Sequence, residues 1–134
     1  MTDGPVTELS ALLQGMDPVL NPGVWVFAVL PDGATVPAEA LGTFREAEGL
    51  TAILPEGCGT SEFRAAWITL RVHSALEAVG LTAAVSAALT EAGIPCNVVA
   101  AAHHDHLFVP VERAEAALTC LRALQNGAAP DPIS

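Results

Sequence analysis

The chain has 134 residues, 51% of them hydrophobic, and carries 15 acidic against 5 basic side chains, for a formal net charge of −10 at pH 7. This length supports one compact domain or two fused half-size domains. The negative charge would be repelled by phosphate backbones and anionic lipid surfaces, so nucleic acid and membranes are poor partner candidates.

Hydropathy and cysteine usage bear on the cellular compartment. No stretch reaches the roughly 18 unbroken apolar residues of a membrane-spanning helix, and the first ten residues have neither the basic nor the apolar region of an export signal. The three cysteines, Cys58, Cys96 and Cys120, are far apart and form no Cys-x-x-Cys pair. We therefore expect reduced, packed thiols in a cytoplasmic protein.

The first half begins with a predicted helix and a predicted strand. Leucines at helical spacing predict a short helix over Thr7–Gly15. The sequence DPVLNPG follows and is typical of a turn-rich connection. Next, Val24–Leu30 is continuously apolar and rich in β-branched and aromatic residues, which indicates a buried strand.

A predicted hairpin and an internal boundary complete this half. The runs Leu41–Glu46 and Leu50–Pro55 flank the sequence EAEG. In it, Gly49 can supply the positive φ of a tight turn, so the two runs should pair antiparallel. The sequence PEGCG then concentrates turn-forming residues and marks a boundary at Pro55–Ser61.

The second half starts with a strand and a helix. In Ala66–Val72, aliphatic side chains alternate with Trp67, Thr69 and Arg71, which predicts a strand with one apolar face lying on helices. A helix should follow and end at Gly93 in a left-handed conformation. Its predicted buried stripe consists of Leu81, Ala84, Val85, Ala88, Leu89 and Ala92.

A second hairpin and a last helix follow. The apolar runs Pro95–Ala102 and Asp105–Val111 are separated by His103 and His104, which should lie at the tip of a tight hairpin. The last helix is predicted over Glu112–Leu124.

The second half therefore has the order strand, helix, strand, strand, helix. This is a split βαβ, ferredoxin-like α+β arrangement, with one antiparallel sheet and helices on one face. The closing strand of that arrangement is missing from this half. We predict that Val24–Leu30, or a strand of the first hairpin, completes the second sheet.

The sequence HHDH at residues 103–106 raises the question of a metal site. In a strand that begins at Asp105, alternation places Asp105 and His106 on opposite faces, so the two cannot bind one ion. Three or four ligands are not available locally, and His73, the only other histidine, would have to approach the hairpin. We expect no metal site and interpret the histidines as exposed or hydrogen-bonded at the hairpin end.

Signals of catalysis are weak. Ser74 and Ser86 lie outside any Gly-x-Ser-x-Gly elbow, and no serine or cysteine has a histidine and a carboxylate at a spacing typical of nucleophilic catalysis. Glu46 and Glu48 flank a turn, where solvated charge is the ordinary explanation. We expect neither an enzyme nor a bound cofactor. A metal-dependent hydrolase that uses the histidines is the alternative in the enzyme class.

The loop at residues 72–80 joins a strand to a helix start, where free backbone N–H groups and the positive end of the helix dipole attract a carboxylate. Gly80 lets a ligand approach the backbone closely, while Ser74, Glu77 and Asp105 could receive an amino group or a polar side chain. The loop therefore suits an amino acid. In the alternative interpretation, Gly80 only caps the helix and Glu77 is solvated.

Several segments resemble a known family. The sequence GLTAAVSAALTEAGIPCNVVAA resembles the helix–strand core of ACT domains, small ligand-binding modules attached to many enzymes of amino-acid metabolism. The sequences TFREAEGLTAILP, WITLRVHSALEAVGLTAAVS and HHDHLFVPVERAEAAL resemble a group of short, stand-alone bacterial proteins with tandem ACT-like halves. The resemblance implies ferredoxin-like βαββαβ halves. It places an N-terminal ACT-like half at residues 1–60, a C-terminal ACT domain at residues 61–126 and a frayed tail at residues 127–134.

The resemblance also implies regulatory ligand binding without catalysis. ACT domains usually pair side by side with an amino acid at the interface, so we expect a homodimer. The implied ligand-binding residues are Ser74, Glu77, Val79, Gly80 and Leu81 on the loop, Asn97 and Val98 on a strand, and Asp105 on the hairpin. The leading interpretation is an amino-acid sensor. The alternative is a subunit that regulates a separate amino-acid biosynthesis enzyme without a ligand of its own.

Overall fold

The structure is a computed structural model that describes residues 8–73, residue 75 and residues 80–127. Within these residues, three α-helices and seven β-strands form. The helices are α1 (Leu9–Gln14), α2 (Leu81–Glu91) and α3 (Ala114–Gly127). The strands are β1 (Pro18–Leu20), β2 (Trp25–Leu30), β3 (Gly42–Glu46), β4 (Gly49–Pro55), β5 (Ala65–Leu70), β6 (Asn97–Ala100) and β7 (Asp105–Pro110).

All of these strands belong to one antiparallel sheet with the order β3-β4-β2-β5-β7-β6, and β1 pairs with β5. Strand β2 pairs with β4 along its whole length but meets β5 only where Trp25 lies opposite Ala65. Strand β1 lies along the other end of β5, with Pro18 opposite Leu70. The two halves of the chain therefore share a continuous sheet.

The closing strand of the second half is β1, so the prediction that Val24–Leu30 or a hairpin strand would close it is wrong, apart from the single pair at Trp25. The sequence around Pro18–Leu20 is typical of a turn because Pro18 precedes, and Pro22 and Gly23 closely follow, only two apolar residues, Val19 and Leu20. Pairing with β5 gives this segment the backbone hydrogen bonds that it cannot make locally. The pairing continues past β1, where the Asn21 N–H donates to the Trp67 carbonyl at 2.8 Å.

The first predicted hairpin is confirmed. Strands β3 and β4 pair with Glu46 opposite Gly49, so two residues link them. Gly49 has a φ of 145°, a backbone conformation that residues other than glycine rarely adopt.

The second hairpin also forms, with a longer link than predicted. Ala100 of β6 lies opposite Asp105 of β7, so four residues separate the strands instead of two. The Ala101 N–H donates to the His104 carbonyl at 3.0 Å and closes this link. His103 and His104 therefore lie at the hairpin end, as predicted.

The main core lies between the sheet and the three helices. Ala66, Ile68 and Leu70 of β5 are buried in it, which confirms the alternation predicted for this strand. Gly93, with a φ of 75°, follows α2 as predicted. The helices contribute Leu12, Leu81, Val85, Leu89, Ala114, Ala117, Leu118 and Leu121 to this core.

The opposite face of the sheet carries a second cluster, which the sequence did not indicate. Phe108 is 1% exposed, and its ring meets that of Phe27 edge to face, with centroids 5.2 Å apart. Trp25 and Trp67 meet in the same way at 5.3 Å. This aromatic cluster consists of Trp25, Phe27, Ile53, Phe63, Ala65, Trp67 and Phe108.

Candidate functional site

The predicted ligand corner lies at the start of α2. Gly80 is the N-cap of this helix and has a φ of 106°. The backbone N–H groups in the first turn of a helix have no partner inside the helix, and a glycine cap has no side chain that could accept from them. The local geometry is thus the one that can bind a carboxylate.

Part of this corner is filled by the chain itself. A Cβ atom added to Gly80 would lie 3.2 Å from Cδ2 of Leu9 in α1. Leu81, predicted to line the loop side of the site, is buried in the main core at 3% exposure. A ligand would therefore have to approach the first-turn amides from the side away from Leu9.

The predicted site residues on the strands lie on two faces of the sheet. Ser74, Glu77 and Val79 lie outside the described residues. Val98 packs against the main core, whereas its neighbour Asn97 is exposed, and strand alternation directs their side chains to opposite faces. The assignment of these residues to one site stays a prediction.

Asp105 is the one charged residue in the buried set of described residues. It is 8% exposed and begins β7, where it lies opposite Leu70 of β5 and Ala100 of β6. Alternation along β7 places it on the side of the helices, with Leu107. Burying a carboxyl is unfavourable unless it is hydrogen-bonded or paired, so the position of the Asp105 carboxyl depends on the polar groups around it.

The histidines of the hairpin end do meet His73. The ring centroids of His73 and His103 are 5.3 Å apart, and those of His103 and His104 are 6.4 Å apart. No group of three or more histidine, cysteine or acidic side chains in the described part of the chain has a geometry that could hold a metal ion.

Two adjoining hollows open on the face opposite the helices, between the edge strands β3 and β6. They share Gly42, Ile53 and Val99 and have volumes of about 180 Å³ and about 300 Å³. Since β3 and β6 are at opposite ends of the strand order, their meeting at one cavity shows that the sheet is curled. We call these two hollows the cleft.

The cleft is lined mainly by apolar side chains. The smaller hollow is bounded by Leu41, Trp67, Ala101, His106 and Phe108, besides the shared residues. The larger one is bounded by Phe27, Thr43, Phe44, Glu46 and Thr51. Sequence reasoning missed this cavity. The available signal was that Trp67, a large aromatic residue, lies on the strand face predicted to point away from the helices.

His106 is the main polar group of the smaller hollow. Its Nδ1 accepts a hydrogen bond from Trp67 Nε1 at 3.0 Å and lies 3.1 Å from Thr69 Oγ1. The Thr69 oxygen accepts from Asn21 Nδ2 at 2.9 Å, so the Thr69 hydroxyl hydrogen is free to point at His106. Because Nδ1 is an acceptor, the neutral ring carries its proton on Nε2.

Electrostatics favour this neutral ring. Burial lowers the pKa of His106 from its ordinary value, and the charge of His104 lowers it further, while Asp105 acts in the opposite direction. At pH 7, His106 is therefore a neutral donor through Nε2–H.

A β-α-β-β-α order with an added strand, one antiparallel sheet and helices on one face defines a ferredoxin-like α+β fold. The chain belongs to the ACT domain family, whose models match residues 5–58 and, separately, residues 62–123. The resemblance and the fold class inferred from the sequence are thus confirmed. ACT domains are regulatory modules that generally bind ligands, often amino acids.

Solved structures agree with this assignment. The chain is 44% identical to the Vibrio cholerae protein VC0802, described as a protein of unknown function and possible transport protein. That match covers 87% of this chain and 95% of the other, with a TM-score of 0.76. No curated protein matches the chain.

Two more distant structures share the fold alone. Agrobacterium tumefaciens protein Atu0741 is 20% identical, over 81% of this chain and 87% of that one, with a TM-score of 0.62. A structure of aspartokinase alpha and beta subunits is 12% identical, over 81% of this chain and 97% of that one, with a TM-score of 0.59. In the described part of the chain, no helix has the length and apolar character that crossing a membrane requires.

Proposed function

We propose that this chain is a non-catalytic, cytoplasmic regulatory protein that binds an amino acid at the corner between β5 and α2. The observation that carries the proposal is the glycine cap of α2, because it leaves the N–H groups in the first turn of this helix without a side-chain acceptor. The helix belongs to the segment that matches the ACT domain, a family that generally binds ligands. The ligand carboxylate accepts from these amides, and the helix dipole adds to the attraction.

The amino group of the ligand needs negative or polar partners. In this proposal Ser74, Glu77 and Asp105 supply them, Val79 bounds the apolar part of the ligand, and Leu81 contributes its backbone in the first turn of α2. Asn97 and Val98 belong to the strand that completes the site. The burial of Asp105 supports this role, because a carboxylate in such a place interacts strongly with a cation.

A regulatory role also requires that ligand binding changes how the protein assembles with itself or with a target. We propose a homodimer, in which the amino acid binds near the contact between protomers, and a separate amino-acid biosynthesis enzyme as the regulated target. Sedimentation equilibrium at micromolar concentration should then give a mass near twice 13.7 kDa. A protein that stays monomeric with and without amino acids would contradict the dimer.

The proposal is tested by thermal shift with each of the twenty amino acids at millimolar concentration. Ligand at 100 times its Kd should stabilise the protein by about 2.7 kcal/mol. No stabilisation by any of them would overturn amino-acid binding.

Two glycine variants locate the site. Gly80→Ala places a side chain at a positive φ and against Leu9, so the backbone at the start of α2 must shift, the first-turn N–H groups should lose their alignment, and ligand stabilisation should fall. Gly93→Ala introduces similar backbone strain, about 1–2 kcal/mol, but its Cβ meets nothing, so ligand stabilisation should persist. Equal ligand responses of the two variants would place the site elsewhere.

A further inference from the structure

We propose that the cleft is a second ligand site, which takes a neutral, mainly apolar molecule of about one aromatic ring whose hydrogen-bond acceptor is held by Nε2–H of His106. This site is independent of the amino-acid corner. It lies on the face opposite α2 and Asp105, and its lining includes none of the residues assigned to the corner.

The size and walls of the cleft fit such a ligand. A cavity of about 150 Å³ with aliphatic and aromatic walls holds a benzene ring, and the smaller hollow has a volume of about 180 Å³. The adjoining larger hollow leaves room for a substituent. Phe108 at the floor is 1% exposed and lies on β7, which is paired on both sides, so the floor of the cavity is a packed part of the sheet.

The rim of the cleft is apolar and faces solvent. Leu41 is 38% exposed, Val99 39% and Phe44 71%. Large apolar side chains at this exposure cost free energy in water and gain it when a ligand covers them.

The polar requirement comes from His106. Trp67 and Thr69 both occupy the Nδ1 side of its ring, which orients the ring and leaves Nε2–H as the remaining donor. A molecule with a carbonyl, ether or hydroxyl oxygen can accept from this donor, whereas a pure hydrocarbon leaves it unpaired in an apolar cavity.

The charges around the cleft disfavour an anionic ligand. None of the described residues that line the two hollows is an arginine, and the outer end carries Glu46, whose carboxylate accepts from Thr51 at 2.8 Å. The chain as a whole carries a formal charge of −10. An anion would therefore enter an apolar, electronegative cavity without a counter-charge.

Three probes of similar shape test the chemistry: acetophenone, ethylbenzene and benzoate. Their Kd values are measured by ¹H–¹⁵N NMR of the full chain, with the Trp67 indole N–H as the reporter. Acetophenone should bind with a Kd in the millimolar range or below, ethylbenzene about fivefold more weakly for lack of the acceptor, and benzoate more weakly still. Equal binding of acetophenone and ethylbenzene would overturn the role of His106, and tightest binding of benzoate would overturn the choice of a neutral ligand.

Matched glycine variants test the location. Gly42 lies opposite Ile53, so a side chain there would point to the face of the cleft, and its Cβ would meet nothing within 4 Å. Gly42→Leu should fill the cavity and weaken acetophenone binding at least tenfold. Gly57→Leu, at another open glycine that lines neither hollow, should leave the Kd unchanged.

A second pair of variants guards against misfolding at Gly42. Val99→Phe narrows the cleft from the β6 side, while Ala100→Phe places the same ring on the opposite face of that exposed strand. Only Val99→Phe should weaken acetophenone binding. The proposal fails if neither cavity-filling variant changes the Kd of acetophenone. It also fails if acetophenone shifts no resonance of the cleft residues, as expected if a second copy of the chain covers this face. Gly80→Ala should leave acetophenone binding intact, which separates this site from the amino-acid corner.

Discussion

The imidazole of His106 is fixed by a chain of hydrogen bonds that runs across neighbouring segments. Asn21 donates to Thr69, and Thr69 and Trp67 both meet Nδ1 of the ring. The sequence HHDH drew attention to metal binding, but this histidine has its δ nitrogen engaged within the protein. Its contacts come from residues far away in the chain, so no local pattern could reveal them.

The lowered pKa of His106 predicts a pH dependence of stability. The unfolded chain takes up a proton near pH 6.5, whereas the folded chain does so only at lower pH. The unfolded state therefore binds more protons in this window, and the free energy of unfolding should fall as the pH drops below about 6.5.

Urea denaturation at several pH values between 5.5 and 7.5 measures this effect. The matched variant is His106→Gln, whose amide oxygen can still accept from Trp67 but does not titrate. Its free energy of unfolding should depend less on pH in this range. The same slope in both proteins would show that His106 is not the group responsible.

At the scale of elements, the short strand β1 decides how the two halves connect. Its three residues pair with the end of β5, and Arg71 continues the contact by donating its backbone N–H to the Met16 carbonyl at 2.9 Å. The hydrogen bond from Asn21 to the Trp67 carbonyl fixes the alternation of this ladder. By that alternation, the backbone N–H of Val19 donates to the Thr69 carbonyl of β5, whereas the backbone N–H of Leu20 points away from β5.

Proline substitutions test this register. Val19→Pro removes a donor and leaves the Thr69 carbonyl without its partner, so the free energy of unfolding should fall by about 1–3 kcal/mol. Leu20→Pro is the matched control, because proline is tolerated where the backbone N–H points away from the neighbouring strand. Equal losses, measured by urea denaturation, would contradict the register.

At the scale of the whole molecule, the two halves are joined by more than a linker. The aromatic cluster combines Phe27 and Ile53 of the first half with Trp67 and Phe108 of the second. The first half also has a small core of its own on the other face, made of Val26, Ala28, Ala52 and Leu54. Removing the first half would therefore have two effects: it would expose the aromatic cluster, and it would remove β1.

We therefore expect that residues 61–127 alone do not fold cooperatively, whereas residues 8–127 do. The measurement is thermal unfolding followed by near-ultraviolet circular dichroism, which reports on the tryptophan and phenylalanine environments. Addition of residues 8–60 as a separate chain should restore part of the transition. A sharp transition for residues 61–127 by themselves would show that the second half is an autonomous domain.

The sequence by itself determined the helices, most strands, the α+β class and the family. Ala66, Ile68 and Leu70 face the helices as their alternation predicts, and Gly49 and Gly93 take the positive φ values that their positions indicate. These features depend on short-range periodicity and on backbone preferences of single residues, which are local properties.

Only the tertiary structure decided which strand closes the second half, how the sheet curls and where a cavity opens. Pro18–Leu20 has no strand pattern of its own and becomes a strand because β5 offers unpaired backbone groups. The cleft exists because β3 and β6, distant in sequence, approach each other across the aromatic cluster. The free energy of such long-range strand pairing depends on the whole sheet, so no single segment of the sequence could predict it.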